Sequence, residues 1–136
     1  MTGKCFIDSN VWLYLLSDDD LAKKRKADTV LSEVRQKIVS WQVINEVCIN
    51  LVRKKGMDES FVRKTIGFIC ESCAVVDFNV SLLDTASHLR ARHSISFWDS
   101  LVVAAALAAG CDMLFSEDLQ NGQRYGQMVV RNIFGA

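Results

Sequence analysis

The 136-residue chain has no proline, only two histidines and no net charge, with sixteen basic residues against sixteen acidic ones. It has no low-complexity tract, repeat or Pro/Gly/Ser-rich stretch. Nothing marks a linker, so one domain over residues 1–136 is expected. The balanced charge gives no long-range steering toward nucleic acid or membrane. No apolar run reaches the roughly 18 residues of a membrane span. The longest, LVVAAALAAG at 101–110, reads as a buried helix. MTGKCFID at the amino end goes straight into a strand without signal-peptide character, so a cytoplasmic protein is expected. Five cysteines (Cys5, Cys48, Cys70, Cys73, Cys111) are an odd number in mostly apolar surroundings, which points to reduced thiols rather than a disulfide framework. Cys70 and Cys73 form a single C-x-x-C. No second pair exists, and His88 and His93 are five residues apart and miss one helix face, so a zinc site lacks its ligands.

What the chain does have is apolar residues, half of the total, in an alternating pattern. KCFI (4–7), KIVS (37–40), AVVDF (74–78), MLF (113–115) and QMVVRN (127–132) read as strands. Helices are expected over 9–17, from about Asp20 to Gln36, and over 41–55, 58–73, 81–93 and 97–110. Gly56 is placed to end one of them and Asp58 to cap the next. Short apolar strands alternating with amphipathic helices predict a parallel sheet covered on both faces. Sites in such sheets form beyond the carboxyl ends of the strands. Asp8 stands just past the first strand, Ser40 ends the second, Asp77 falls in the third, and Ser116, Glu117 and Asp118 follow MLF.

Each acid has a structural and a chemical reading. Asp8 is equally a helix N-cap and a ligand. Asp99 opens a helix that is apolar almost all round. Ser96-x-x-Asp99 fits a weakened capping box, yet a buried acid beside Trp98 needs a partner such as a metal ion or a facing amide. Glu46 lies opposite the stripe of Val43, Ile44, Val47, Cys48, Leu51 and Val52, which taken alone makes it solvent-facing. It gains weight from its position one to two turns past KIVS, where its side chain reaches the same sheet edge. SEDLQNGQ at 116–123 sets Glu117 and Asp118 side by side.

FIDSNVWLYLL, WQVINEV, ISFWDSLVVAAAL and LFSEDLQNGQ, in that order, resemble the four signature segments of PIN domains, and among these the VapC-type toxins of bacterial toxin–antitoxin pairs. The resemblance covers nearly the whole chain. Residue by residue, it puts the family's acidic cluster on Asp8, Glu46, Asp99 and Asp118. Ser116 matches a small hydroxyl residue two places before the last acid, Asn10 a supporting polar position, and Glu117 is a lesser candidate beside Asp118. The implied fold is a three-layer α/β/α arrangement around a mainly parallel twisted sheet. The implied activity is a metal-dependent endoribonuclease, with a cognate antitoxin and a homodimer as partners.

Four converging carboxylates repel one another unless a cation intervenes. An all-oxygen donor set suits Mg²⁺, with Mn²⁺ as substitute. Asp8, Asp99 and Asp118 are then the ligands, with Glu46 orienting water or a second ion and Ser116 orienting a carboxylate. Basic clusters at 23–26 and 53–55, and Arg90 with Arg92, read either as solvated helix faces or as grips on a phosphate backbone. Trp41, Trp98 and Tyr125 are candidates for base stacking, with core packing the expected role of Trp98. Other sheet-borne chemistries fit poorly. Asp8-Ser9-Asn10 lacks the second acid of a haloacid-dehalogenase phosphatase, and no lysine follows Lys64 to serve a receiver domain. The alternative is a non-catalytic interaction module of the same fold.

Overall fold

A computed structural model describes residues 2–135; Met1 and Ala136, which the expected single domain includes, lie outside the described residues. The chain runs β1 (Thr2–Ile7), α1 (Ser9–Leu15), α2 (Leu21–Ser32), β2 (Val34–Ser40), α3 (Trp41–Arg53), α4 (Glu59–Ser72), β3 (Ala74–Val76), α5 (Val80–Arg92), α6 (Phe97–Ala108), β4 (Met113–Phe115), β5 (Arg124–Tyr125) and β6 (Met128–Arg131). The strands form one sheet in the order β3-β2-β1-β4-β6-β5. Every pairing is parallel except that of the β5–β6 hairpin.

β1 explains the layering. Cys5, Phe6 and Ile7 are consecutive and fully inaccessible. Successive strand residues face opposite sides of a sheet, so both faces of β1 are covered, as parallel sheets require. α1 packs on α2 and α3, α3 packs on α4, and α5 packs on α6, giving the α/β/α arrangement expected. α6 carries buried Val102, Val103 and three consecutive buried alanines, Ala104 to Ala106, whose small side chains let the helix lie close within the core.

β1, β2 and β4 end at a common edge. Phe6 pairs with Ile38 on one side and Leu114 on the other. The backbone N–H of Asp8 continues the ladder by donating to Phe115 O at 3.0 Å. Each helix that starts at this edge is capped by the residue leaving the strand or turn before it: Asp8 for α1, Ser40 for α3, Asn79 for α5 and Ser96 for α6. Chain direction and capping chemistry together place Asp8 and Ser96 beside the acids that gather there.

Several boundaries differ from the sequence reading. α1 stops at Leu15 rather than at residue 17. The helix expected to run to Gln36 ends at Ser32, and β2 begins at Val34, three residues before KIVS. The stretch Val34-Arg35-Gln36 reads as the end of the helix, but β1 needs a partner along its whole length, and Val34 to Ile38 pair with Thr2 to Phe6. β3 is shorter than AVVDF and ends at Val76, so Asp77 lies outside it. Asn79 accepts from the Leu82 N–H as the cap of α5, and the approach to that cap takes Asp77 and Phe78 out of the ladder. β5 was not expected; it pairs with β6 across a two-residue turn in which Gly126 has φ +60°, a conformation glycine adopts without strain. Gly56, at φ +66°, follows the end of α3 as expected. All five cysteines are unpaired; Cys5 and Cys111 are buried while Cys70 is exposed.

Candidate active site

Asp8 is buried and uses both carboxylate oxygens. Oδ1 accepts from the Ser9 N–H at 2.8 Å and Oδ2 from the Ser116 hydroxyl at 2.8 Å. The cap reading and the site reading therefore hold together, one on each oxygen. Burial pushes the Asp8 carboxyl up from 3.8 to about 6; the two hydrogen bonds oppose this, and the charges of Glu46 and Asp118 add to it. Ser116 is a hub. Besides donating to Asp8, its Oγ accepts from the backbone N–H groups of Asp118 at 3.2 Å and Leu119 at 3.3 Å, which fixes the turn after β4.

Glu46 does not face solvent, as its helix stripe alone suggests. α1 packs beside α3, and Glu46 Oε1 accepts from the Ser9 hydroxyl at 2.7 Å. Its other oxygen accepts from the indole N–H of Trp98. Ser9 thus links the first acid to the second: its N–H goes to Asp8 and its hydroxyl to Glu46. The sequence reading missed Ser9 and chose Asn10, which is half-buried and bonded to none of the four acids. The available signal was Ser9's place as first residue of a helix capped by an acid, where its side chain and its N–H are both free of helix bonding.

Asp99 sits in the first turn of α6, where its N–H donates to the Ser96 hydroxyl at 3.0 Å. It is half-buried rather than buried. Burial raises its pKa, with Asp118 and Glu46 contributing further and Ser96 pulling the other way. Trp98 is 47 % exposed and Phe97 73 %, so neither packs in the core as was expected of Trp98. The buried positions of α6 begin at Ser100, one residue past Asp99, and the large rings fall on the rim of the site. Gln42, from α3, donates to the Trp98 carbonyl at 3.2 Å and ties the two helix starts together.

Asp118 is exposed, on the turn that Ser116 shapes. Its neighbour Glu117 is turned elsewhere. Glu117 accepts from the Tyr14 hydroxyl at 2.9 Å and pairs with Lys23 at 2.7 Å, pinning the turn to α1 and α2. Lys23, from the 23–26 basic cluster, is thereby committed to an internal pair. Asp99 and Asp118 share a cleft of about 430 Å³, which extends to Arg92, His93, Gln123 and Tyr125.

The four acids thus come from β1–α1, α3, α6 and the β4 exit. Three of them are joined in two chains, Asp8–Ser116–Asp118, which reaches Asp118 through its backbone N–H, and Asp8–Ser9–Glu46–Trp98, and the charges of Asp118 and Glu46 act on both Asp8 and Asp99. Such a donor set is oxygen-only, which fits a hard divalent ion. Among the described residues, no three Asp, Glu, His or Cys side chains stand close enough to enclose an ion.

The sheet with acids gathered beyond its strand ends is an α/β arrangement, and the family follows from the sequence itself. The profile of the PIN domain matches residues 5–123, and the chain belongs to the PIN domain family. Among curated proteins, no sequence matches it significantly. Solved structures share its fold. VapC20 of Mycobacterium tuberculosis, described as a sarcin-ricin loop cleaving toxin, is 21% identical with a TM-score of 0.70, over 84% of this chain and 91% of that one. A toxin-antitoxin complex from Klebsiella pneumoniae gives 17% identity and a TM-score of 0.72, over 92% and 95%. VapBC-1 from nontypeable Haemophilus influenzae gives 16% and 0.67, over 97% and 99%. No helix of the described residues is long and apolar enough to cross a membrane.

Proposed function

We propose that this chain is the toxin of a toxin–antitoxin pair, an endoribonuclease that hydrolyses RNA phosphodiester bonds with Mg²⁺, or Mn²⁺ in its place. The observation that carries the reading is the pair of serine-linked chains that holds Asp8, Glu46 and Asp118 at one sheet edge beside Asp99. Two of the similar structures support it: one is described as a sarcin-ricin loop cleaving toxin and another as a toxin-antitoxin complex. A cytoplasmic homodimer with a cognate antitoxin completes the reading.

Asp8, Asp99 and Asp118 would hold the ion, with Glu46 beside them. When bound, it supplies charge neutralisation at the phosphate and an acidified water. The chain's own residues do the rest. Ser116 keeps one Asp8 oxygen oriented and shapes the turn that presents Asp118. Ser9 and Trp98 fix both oxygens of Glu46, so that this carboxylate is positioned to orient a water and take its proton. Holding such groups in place before substrate arrives lowers the reorganisation needed during reaction.

The test is cleavage of a mixed pool of structured cellular RNAs by antitoxin-free protein, with Mg²⁺ or Mn²⁺, with EDTA, and with Asp99→Asn in parallel. Discrete cuts that need the metal and vanish in Asp99→Asn are expected. A folded protein that neither cuts RNA nor binds Mn²⁺ is instead a non-catalytic interaction module.

A further inference from the structure

The acids gather beyond the carboxyl ends of the strands, and a second cleft, toward the amino ends of β1 and β2, has the opposite charge. Its volume is about 490 Å³, and its charged lining residues are Lys4, Arg35 and Lys37, with no carboxylate among them. None of the three cations forms an ion pair among the described residues. The Asp112 carboxylate accepts from the Lys4 backbone N–H at 3.1 Å and not from its ammonium.

The cleft opens on a strand edge. β2 begins at Val34, but β3 pairs with it only from Ile38 onward. The chain enters β3 almost directly from α4, which ends at Ser72, so among the described residues no strand flanks positions 34–37 on that side. Successive strand residues face opposite sides of a sheet, yet residues 35–38 of β2 and all three residues of β3 line the cleft. A cavity that touches consecutive residues of both strands reaches their backbone edge and not one face alone. Ala74 and Val75 are exposed, and β3 is itself an outer strand of the sheet. An open strand edge is a template on which an extended peptide adds.

The cations are spaced for such a peptide. Arg35 and Lys37 are two residues apart and share one face of the sheet. Lys4 is in register with Gln36 and shares the other face with it. An added strand presents its side chains in the same alternation, so three consecutive acids would set the outer two toward Arg35 and Lys37 and the middle one toward Lys4. Opposite charges facing each other across strands stabilise a sheet. A compact anion would use the cations but leave the backbone edge unpaired.

We propose that this cleft docks an extended acidic segment of a partner protein, which adds a strand along the free edge of β2 and sets its carboxylates against Lys4, Arg35 and Lys37. The site is separate from the four acids and does not rest on the ribonuclease reading.

The experiment titrates the full chain, without divalent ions, with the capped peptide Thr-Val-Glu-Glu-Glu-Val-Thr, followed by NMR amide shifts and calorimetry. Three other probes run in parallel: the same peptide with glutamine at its acids, the same peptide with proline at its centre, and inorganic pyrophosphate. Saturable binding of the acidic peptide is expected, with shifts centred on residues 34–38 and 74–76. Screening should weaken it about tenfold between about 50 mM and about 500 mM salt. Exposed Arg35 tolerates substitution, and unchanged melting temperatures verify the fold of each variant. Arg35→Gln and Lys37→Gln should each weaken binding about threefold, and Arg35→Glu, which turns an attraction into a repulsion, about tenfold. The glutamine and proline peptides are expected not to bind. Equal binding of the proline peptide, or tighter binding of pyrophosphate at the same residues, makes the cleft a simple anion site and overturns the added strand. Wild-type affinity in folded Arg35→Glu, shifts centred on residues 23–26 or 53–55, or no saturable binding by the wild type overturns the site.

Discussion

Replacing Asp8 by asparagine should stabilise the metal-free protein at neutral pH, and by an amount that depends on pH. Burial holds the Asp8 carboxyl at about 6 against an ordinary 3.8. A difference of about two units corresponds to about 3 kcal/mol when the group is fully ionised. The sign follows from the raised value. The folded state binds the proton more tightly than the unfolded state, so ionisation costs nothing below pH 3.8 and the cost is complete above about pH 6. Asparagine removes that cost but gives up part of the local bonding. Asp8 accepts from both the Ser9 N–H and the Ser116 hydroxyl, and an amide has only one acceptor oxygen, a loss of about 1 kcal/mol. The net gain at pH 8 is then about 2 kcal/mol, on the order of 6 °C in melting temperature for a chain of this size. It should shrink on acidification and change sign at roughly pH 4–5. Denaturant or thermal unfolding in EDTA across pH 4.5–8 measures it. An asparagine variant no more stable than wild type at pH 8, or with a gain independent of pH, would refute the claim that Asp8 is held ionised at a cost.

The same electrostatics predict that Mg²⁺ or Mn²⁺ added to EDTA-treated protein raises its melting temperature, by about 2.7 kcal/mol of stability at a hundredfold excess over Kd. The rise should be absent in an Asp8→Asn, Asp118→Asn double variant, and a flat melting temperature in wild type argues against the site. Ser116→Ala leaves one oxygen of buried Asp8 and two turn N–H groups without a partner, so a loss of about 2–3 kcal/mol is expected by chemical denaturation; a neutral result means that water replaces the hydroxyl. Glu117→Gln should leave the RNA-cleavage rate within a few-fold while Asp118→Asn removes it. Equal losses would show that the two neighbouring acids share one role.

How far the site could be read from the sequence depended on how local each signal was. Asp8 and Ser116–Asp118 stand immediately past apolar strands, and the strand-exit rule alone places them on one edge. Ser96 and Asp99 carry a helix-start pattern whose geometry is fixed within four residues. Glu46 is different. Its helix wheel puts it away from the apolar stripe, and what makes that side the inside of a site is the packing of α1, a tertiary fact no period in the sequence reveals. Ser9 escaped for the same reason, since its partner lies 37 residues away. Trp98 was misassigned because a large apolar ring was given to the core, whereas alanines fill the buried part of α6 and the ring is left at the rim. The start of β2 was hidden by the polar residues Arg35 and Gln36, and β5, two residues long, offers no pattern to detect.

The bond between the Trp98 indole and Glu46 gives the protein an optical readout. The chain has three tryptophans. Trp12 is buried with its indole N–H on the Ile7 carbonyl, and Trp41 lies edge-on to Phe78. Only Trp98 has its chromophore bonded to one of the four acids. Any event that draws on Glu46 changes the surroundings of that ring, so the change in emission of a Trp41→Phe protein, over the steady background of buried Trp12, follows the state of Glu46. A titration with Mg²⁺ or Mn²⁺ is then read at that ring in an unlabelled sample, in real time and without a substrate.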